Sequence, residues 1–82
     1  MVGKGIMIIK NLEDISSTIR RVRKEKGLTQ AELAAACGTG VRFIVDLEAA
    51  KTTISLTKTL RVLQMLGIKL ELKEDEPEDE MK

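Results

Sequence analysis

Histidine, tryptophan and tyrosine are absent from this chain of 82 residues, and Phe43 is its one aromatic residue. Without an imidazole, the chain lacks the side chain that most often serves as general base or metal ligand near neutral pH. The sequence offers no recognisable catalytic set of acid, base and nucleophile. We therefore predict that the protein is not an enzyme and uses no cofactor and no metal.

The chain also has a single cysteine and no long apolar run. Cys37 has no partner for a disulfide or a zinc site, and it ends an apolar helical stretch, which predicts a small buried residue. No run approaches the roughly 20 apolar residues needed to cross a bilayer, so no membrane partner is expected. One thiol and no signal peptide favour a reducing cytoplasm.

The length predicts one small domain with an aliphatic core. A domain of this size buries a modest share of its surface, so association with a second copy is expected. Charge is divided along the chain: residues 1–67 hold eleven Lys/Arg and six Asp/Glu (net +5), whereas residues 68–82 hold three Lys and seven acids (net −4). A basic body suits a polyanionic partner.

Helix start and stop signals predict four helices. Asn11 can cap the first, a Thr29/Glu32 capping box starts the second, Gly38 ends it, and Ser55 can cap the fourth. The expected spans are about 12–26, 29–38, 40 or 41 to 49, and 56–66. The expected fold class is therefore all-α, with a short C-terminal strand.

The two ends are assigned separately. Residues 1–10 are predicted to form an N-terminal arm or short strand, residues 11–67 the helical domain, and residues 74–82 an acidic disordered tail. The tail either keeps the protein soluble or contacts a basic surface. Residues 68–73 alternate apolar and charged side chains, as a half-buried strand does.

That strand needs a partner, which is either segment 6–9 or the same strand of another copy. The apolar set of the fourth helix is also too wide for one stripe, so part of it is expected at a second subunit. The predicted dimerisation residues are Leu63, Leu66, Ile68, Leu70 and Leu72.

The second and third helices, joined by a tight turn that contains glycine, match the helix-turn-helix pattern. Its third helix is expected to enter a DNA major groove. Arg42 is predicted to bond a guanine edge and Val41 to touch a thymine methyl, while Asp46 accepts from a cytosine amine or orients Arg42. The expected backbone contacts are Gln30, Thr39, Gly40, Lys51, Thr52 and Thr53. For Arg42 and Lys51 the alternative is a solvated surface charge.

The chain resembles the Cro/C1-type (xenobiotic-response-element) helix-turn-helix family, and especially HipB-type antitoxins. The matching segments are RRVRKEKGLTQAELA (20–34), VRFIVDLE (41–48) and SLTKTLRVLQMLGIKLEL (55–72). The resemblance implies a lambda-repressor-like bundle of four to five helices. It also implies a two-fold dimer on a palindromic operator of double-stranded DNA, with the terminal strands paired across the dimer. It also implies a structural salt bridge between Arg23 and Glu48.

Two positions depart from the family pattern. Gly40 stands at the cap of the third helix, where family members usually have serine or threonine. Ala49-Ala50 stands before Lys51, where Asn-Gly is usual. Because alanine resists the left-handed conformation, either the third helix runs on or the loop is rebuilt.

Three functions follow as hypotheses. The first is a nucleoid-associated cytoplasmic repressor that is also a HipB-like antitoxin, autoregulating its toxin-antitoxin operon and binding a HipA-like kinase toxin. The second is a phage or host repressor without a toxin. The third is a protein-interaction adaptor with a degenerate helix-turn-helix, motivated by the two departures and the acidic tail.

Overall fold

The computed structural model describes residues 8–74, which form an all-α domain. Its helices are α1 (Leu12–Glu25), α2 (Gln30–Cys37), α3 (Val41–Glu48) and α4 (Leu56–Met65). The all-α prediction is confirmed, and each observed boundary lies within about one residue of the expected one. None of the helices within residues 8–74 is both long and apolar enough to span a membrane.

Side-chain caps set the start of three helices. Asn11 accepts a hydrogen bond from the Asp14 amide at 3.0 Å, and Ser55 accepts one from the Lys58 amide at 3.1 Å. Thr29 and Glu32 form a reciprocal capping box, with bonds of 3.0 and 2.8 Å. These bonds satisfy amides that have no partner inside the helix, so the local sequence fixes where each helix begins.

All four helices end in the same double hydrogen-bond pattern, in which the chain passes through a left-handed residue. Three of these residues are glycine, whereas the one after α3 is Ala50, with φ of +59°. There the Lys51 amide donates to the Asp46 carbonyl and the Ala50 amide donates to the Leu47 carbonyl, each at 3.0 Å. Both expectations for this segment are therefore wrong: the helix ends at Glu48 and the loop keeps the usual ending, because the two bonds hold alanine in the left-handed region.

Replacing Ala50 with glycine is expected to raise the free energy of unfolding. A left-handed alanine costs roughly 1–2 kcal/mol, and the extra backbone entropy of glycine offsets roughly 0.5–1 kcal/mol of that gain. The net gain should be about 0.5–1 kcal/mol, measured by urea denaturation followed by far-UV circular dichroism. Ala49→Gly is the matched control: Ala49 has φ of −86°, so this change should lower stability slightly. Equal effects of the two substitutions would contradict the strain at Ala50.

The core is aliphatic and lies where α2 packs against α3 and α4, with α1 packed against α3. Its completely buried side chains come from all four helices: Ile19, Leu33, Ile44, Leu47 and Val62. Cys37 is also buried, as predicted, and burial raises the pKa of its thiol, with the charge of Arg61 acting in the opposite direction. The Ser16 hydroxyl donates to the Leu47 carbonyl and joins α1 to the end of α3.

Two of the predicted dimerisation residues, Leu63 in α4 and Leu66 directly after it, are buried in the single chain. Leu63 and Leu66 are 4% and 3% exposed and belong to the core of the single chain, so they offer almost no surface to a second subunit. Because both faces of α4 are apolar, the sequence alone does not separate its core face from its outer face. The outward apolar residues of this part of the molecule are Leu56, Leu60, Met65, Leu70 and Leu72.

Residues 68–74 form neither helix nor strand in the single chain. Ile68 packs against the core, whereas the Leu72 side chain is almost fully exposed. A strand needs a partner for its backbone groups, so the predicted strand pairing across a dimer stays a prediction. Residues 8–10 are likewise unassigned. The rest of the predicted arm (1–7) and of the predicted acidic tail (75–82) lies outside the described residues.

Candidate nucleic-acid interface

The outer face of α3 projects from the domain because its inner face supplies the core. Ile44 and Leu47 are completely buried, while Val41 is 48% exposed and the Arg42 side chain is 76% exposed. Asp46, one turn after Arg42, is half-buried. The base-contacting residues expected from the sequence therefore share one accessible face of a short helix, the arrangement that major-groove insertion needs.

Asp46 lies between two cations. Its Oδ1 atom is 3.3 Å from Arg42 Nε and 3.7 Å from Lys51 Nζ. This oxygen is shielded from solvent and accepts no hydrogen bond within residues 8–74. The attraction is thus electrostatic, and it approaches the guanidinium from the Nε side. The two terminal Nη groups of Arg42 remain available for another acceptor.

Gln30 begins α2, directly after the Thr29 cap. Its Nε2 donates to Glu48 Oε1 at 3.1 Å. Because an amide nitrogen carries two hydrogens, the second can still be donated to a phosphate. The residue predicted to contact the DNA backbone is therefore held in place by the end of α3.

Glu48 also receives Arg23 from α1. Arg23 Nε donates to Glu48 Oε2 at 2.6 Å and Nη2 donates to Oε1 at 3.0 Å, while Nη1 donates to the Leu28 carbonyl at 2.7 Å. The two side chains are 9% and 5% exposed. The hydrogen bond to Glu48 raises the pKa of the Arg23 guanidinium; burial opposes this, and the charge of Glu48 adds to it. The ion pair joins α1 to α3 and does not face outward.

The remaining predicted contacts lie around α3. Gly40 is exposed at its N-terminus and provides no side-chain cap, and the Thr39 hydroxyl donates to the Gly40 carbonyl at 3.2 Å. Lys51, Thr52 and Thr53 are exposed beyond its C-terminus. The structure thus places residues 39–42 at one end of the helix and residues 51–53 at the other.

Two further residues lie beside these positions and were not assigned to the site from the sequence. Val45 and Arg20 line an open concavity of about 350 Å³ together with Gln30 and Ala49. The position of Val45, one turn after Val41 on the same helix, is a signal that could have identified it. Arg20 belongs to α1, and only the packing of α1 on α3 brings it here.

The geometry defines a helix-turn-helix DNA-binding protein. The Helix-turn-helix family model HTH_3 matches residues 19–73, and the chain belongs to this family. The Cro/C1-type family expected from the sequence is thereby confirmed. Members of this class are transcriptional regulators that bind DNA, and the chain is one of them.

The chain is 52% identical, over 64 residues, to the uncharacterized HTH-type transcriptional regulator y4mF of Sinorhizobium fredii, covering 78% of this chain and 84% of that protein. It is also similar to a chain of a HipA-HipB-O2-O3 complex, with 25% identity and a TM-score of 0.78, covering 87% of this chain and all of that one. A chain of a HipB-O4 20mer complex matches with 25% identity and a TM-score of 0.77, over the same shares.

Proposed function

We propose that this regulator is a homodimeric repressor that binds a palindromic operator and acts as a HipB-like antitoxin, autoregulating an operon that encodes a HipA-like kinase. The exposed face of α3, with Arg42 76% exposed and its Nη groups available, is the observation that carries the DNA-binding role. The similarity to HipB along the whole of that chain supports the antitoxin role.

Within this proposal each of three α3 residues has a separate role in DNA recognition. Arg42 donates to guanine O6 and N7, Asp46 fixes the guanidinium from the Nε side, and Val41 packs on a thymine methyl. The contact of Asp46 with Arg42 favours the orienting role over acceptance from a cytosine amine. Gln30, Thr39, Gly40, Lys51, Thr52 and Thr53 contact the backbone.

A regulator without a toxin is the second candidate. It shares every DNA-facing residue, and the S. fredii relative, at 52% identity, supports it. A pull-down from native cells separates the two: we expect the antitoxin to recover a kinase encoded beside it. Recovery of no kinase, together with no kinase gene nearby, would leave the toxin-free repressor.

The DNA role itself predicts steep salt dependence. For B-DNA, log K falls with log salt by about 0.9 for each phosphate neutralised, so several Lys/Arg contacts per dimer should give a slope of magnitude about 4 or more. Fluorescence anisotropy of labelled duplexes over a salt series measures this slope. A slope near zero on every duplex would favour the adaptor hypothesis.

A selection from random duplexes tests the operator. A two-fold dimer should enrich a palindrome whose half-sites lie about one helical turn apart, roughly 34 Å. Enrichment of single half-sites, with a monomer in solution, would contradict the dimeric arrangement. The departure at Ala49-Ala50 no longer supports the adaptor hypothesis, since the loop after α3 keeps its usual ending despite Ala50.

A further inference from the structure

The concavity beside α3 carries a net positive charge. Its charged side chains are Arg20, Arg23 and Glu48. Arg23 and Glu48 neutralise each other through their paired hydrogen bonds. The charge that remains among these residues is the exposed guanidinium of Arg20, which lines the same concavity as Gln30.

Arg20 also lines a second, smaller concavity, which shares Glu48 and Ala49 with the first. That one includes Glu13, Ser16 and Ser17 and is therefore less positive. Arg20 thus lies between the two concavities, and the side toward Gln30 is the more basic one. An anion would be attracted to that side.

The basic residues of α1 fall into two groups. Arg23 is paired with Glu48, and Arg21 is paired with Glu25, its Nη1 atom lying 2.9 Å from Glu25 Oε2. Arg20 and Lys24 are exposed, and neither forms an ion pair with any residue between 8 and 74. They are four residues apart, so they share one face of α1, where like charges repel and destabilise the helix. A polyanion along this face would remove that repulsion.

We propose that Arg20, with Lys24 one turn away, binds a phosphate of the DNA strand that passes Gln30, so that α1 forms part of the DNA interface. The inference rests on the proposed DNA-binding function. It adds a phosphate contact from outside the helix-turn-helix, at a position set by the packing of α1 on α3. Since a phosphate carries no base identity, the contact raises affinity on every sequence alike.

Arg20→Gln and Arg21→Gln in the full chain test this proposal. Both substitutions remove one positive charge from neighbouring positions of α1, so any general effect of net charge is the same for both. On the duplex that the wild-type protein enriches from random sequences, Arg20→Gln should reduce the magnitude of the salt slope by about 0.9 per subunit, or about 1.8 per dimer. Arg21→Gln should leave the slope unchanged, and neither should alter the preferred sequence.

Equal slopes for the two variants, with wild-type affinity retained in both, would overturn the role of Arg20 while leaving the DNA role intact. A wild-type protein that binds no duplex in a salt-dependent manner would overturn the proposed function first, and this inference with it. Far-UV circular dichroism of both variants establishes that each is folded as the wild type is. A loss of affinity confined to one base pair would also contradict a phosphate contact.

Discussion

Replacing Glu48 with glutamine is expected to lower the free energy of unfolding by about 3–5 kcal/mol. The substitution keeps the size of the side chain but removes the charge that faces Arg23, whose side chain is only 9% exposed. A buried guanidinium is then left without its counter-ion. Since a domain of this size has a total stability of roughly 4–12 kcal/mol, the loss is a large share of that total.

Urea denaturation provides the measurement, with far-UV circular dichroism as the probe because the chain has no tryptophan or tyrosine. Glu25→Gln is the matched control. It makes the same chemical change in an arginine–glutamate pair whose side chains are 45% and 46% exposed, where the expected loss is about 0.3–0.5 kcal/mol. Similar midpoints for the two variants would show that burial does not govern the strength of the Arg23–Glu48 pair.

The double variant Arg23→Met with Glu48→Leu gives a second control. Removing both charges avoids an isolated buried ion, so this variant should be more stable than Glu48→Gln alone. It still leaves the Leu28 carbonyl without its donor, which costs about 1–3 kcal/mol. A double variant less stable than the single one would contradict the charge argument.

Replacing Arg42 with alanine should remove about 1–3 kcal/mol of discrimination at one base pair of each half-site. Alanine removes the donors that face outward from α3 without disturbing the core, since the Arg42 side chain is 76% exposed. The free energy of unfolding should change little. Parallel selections with wild-type and variant protein would show one position of the enriched site losing its preference.

Lys51→Ala is the control for the loss of positive charge. Lys51 contacts the same oxygen of Asp46 but lies beyond the C-terminus of α3, where a backbone contact is expected. It should weaken binding on all sequences by a similar factor. If Arg42→Ala behaved in the same way, Arg42 would be a backbone contact and not a base-reading residue.

The sequence predicted the helices well because the signals that start and end them are local. Thr29, Glu32 and Ser55 cap helices within four residues of their own positions. The orientation of α4 could not be predicted in this way. Its apolar residues cover two faces, and only the packing on α2 decides that Leu63 is buried while Leu60 is exposed.

The sequence could place the candidate residues on a common helix face but could not supply the contacts between them. Periodicity places Arg42 and Asp46 on one face, whereas the hydrogen bond from Gln30 to Glu48 spans 18 positions of sequence. The conformation of Ala50 could not be predicted from the sequence either. Its own preference disfavours the left-handed region, and hydrogen bonds to the end of α3 override that preference. Such non-local contacts depend on the packed fold.

The residues of α3 differ in how tightly the fold constrains them, and this bears on how such regulators diversify. Glu48 pairs with Arg23 in the interior and also accepts a hydrogen bond from Gln30. A substitution of Glu48 therefore removes both a stabilising ion pair and the contact that positions Gln30. Val41 and Arg42 are exposed and lie outside the core, and exchange of exposed side chains usually shifts stability by less than about 0.5 kcal/mol. Under the proposed base contacts, substitutions at positions 41 and 42 should therefore change the target site while the scaffold keeps its stability.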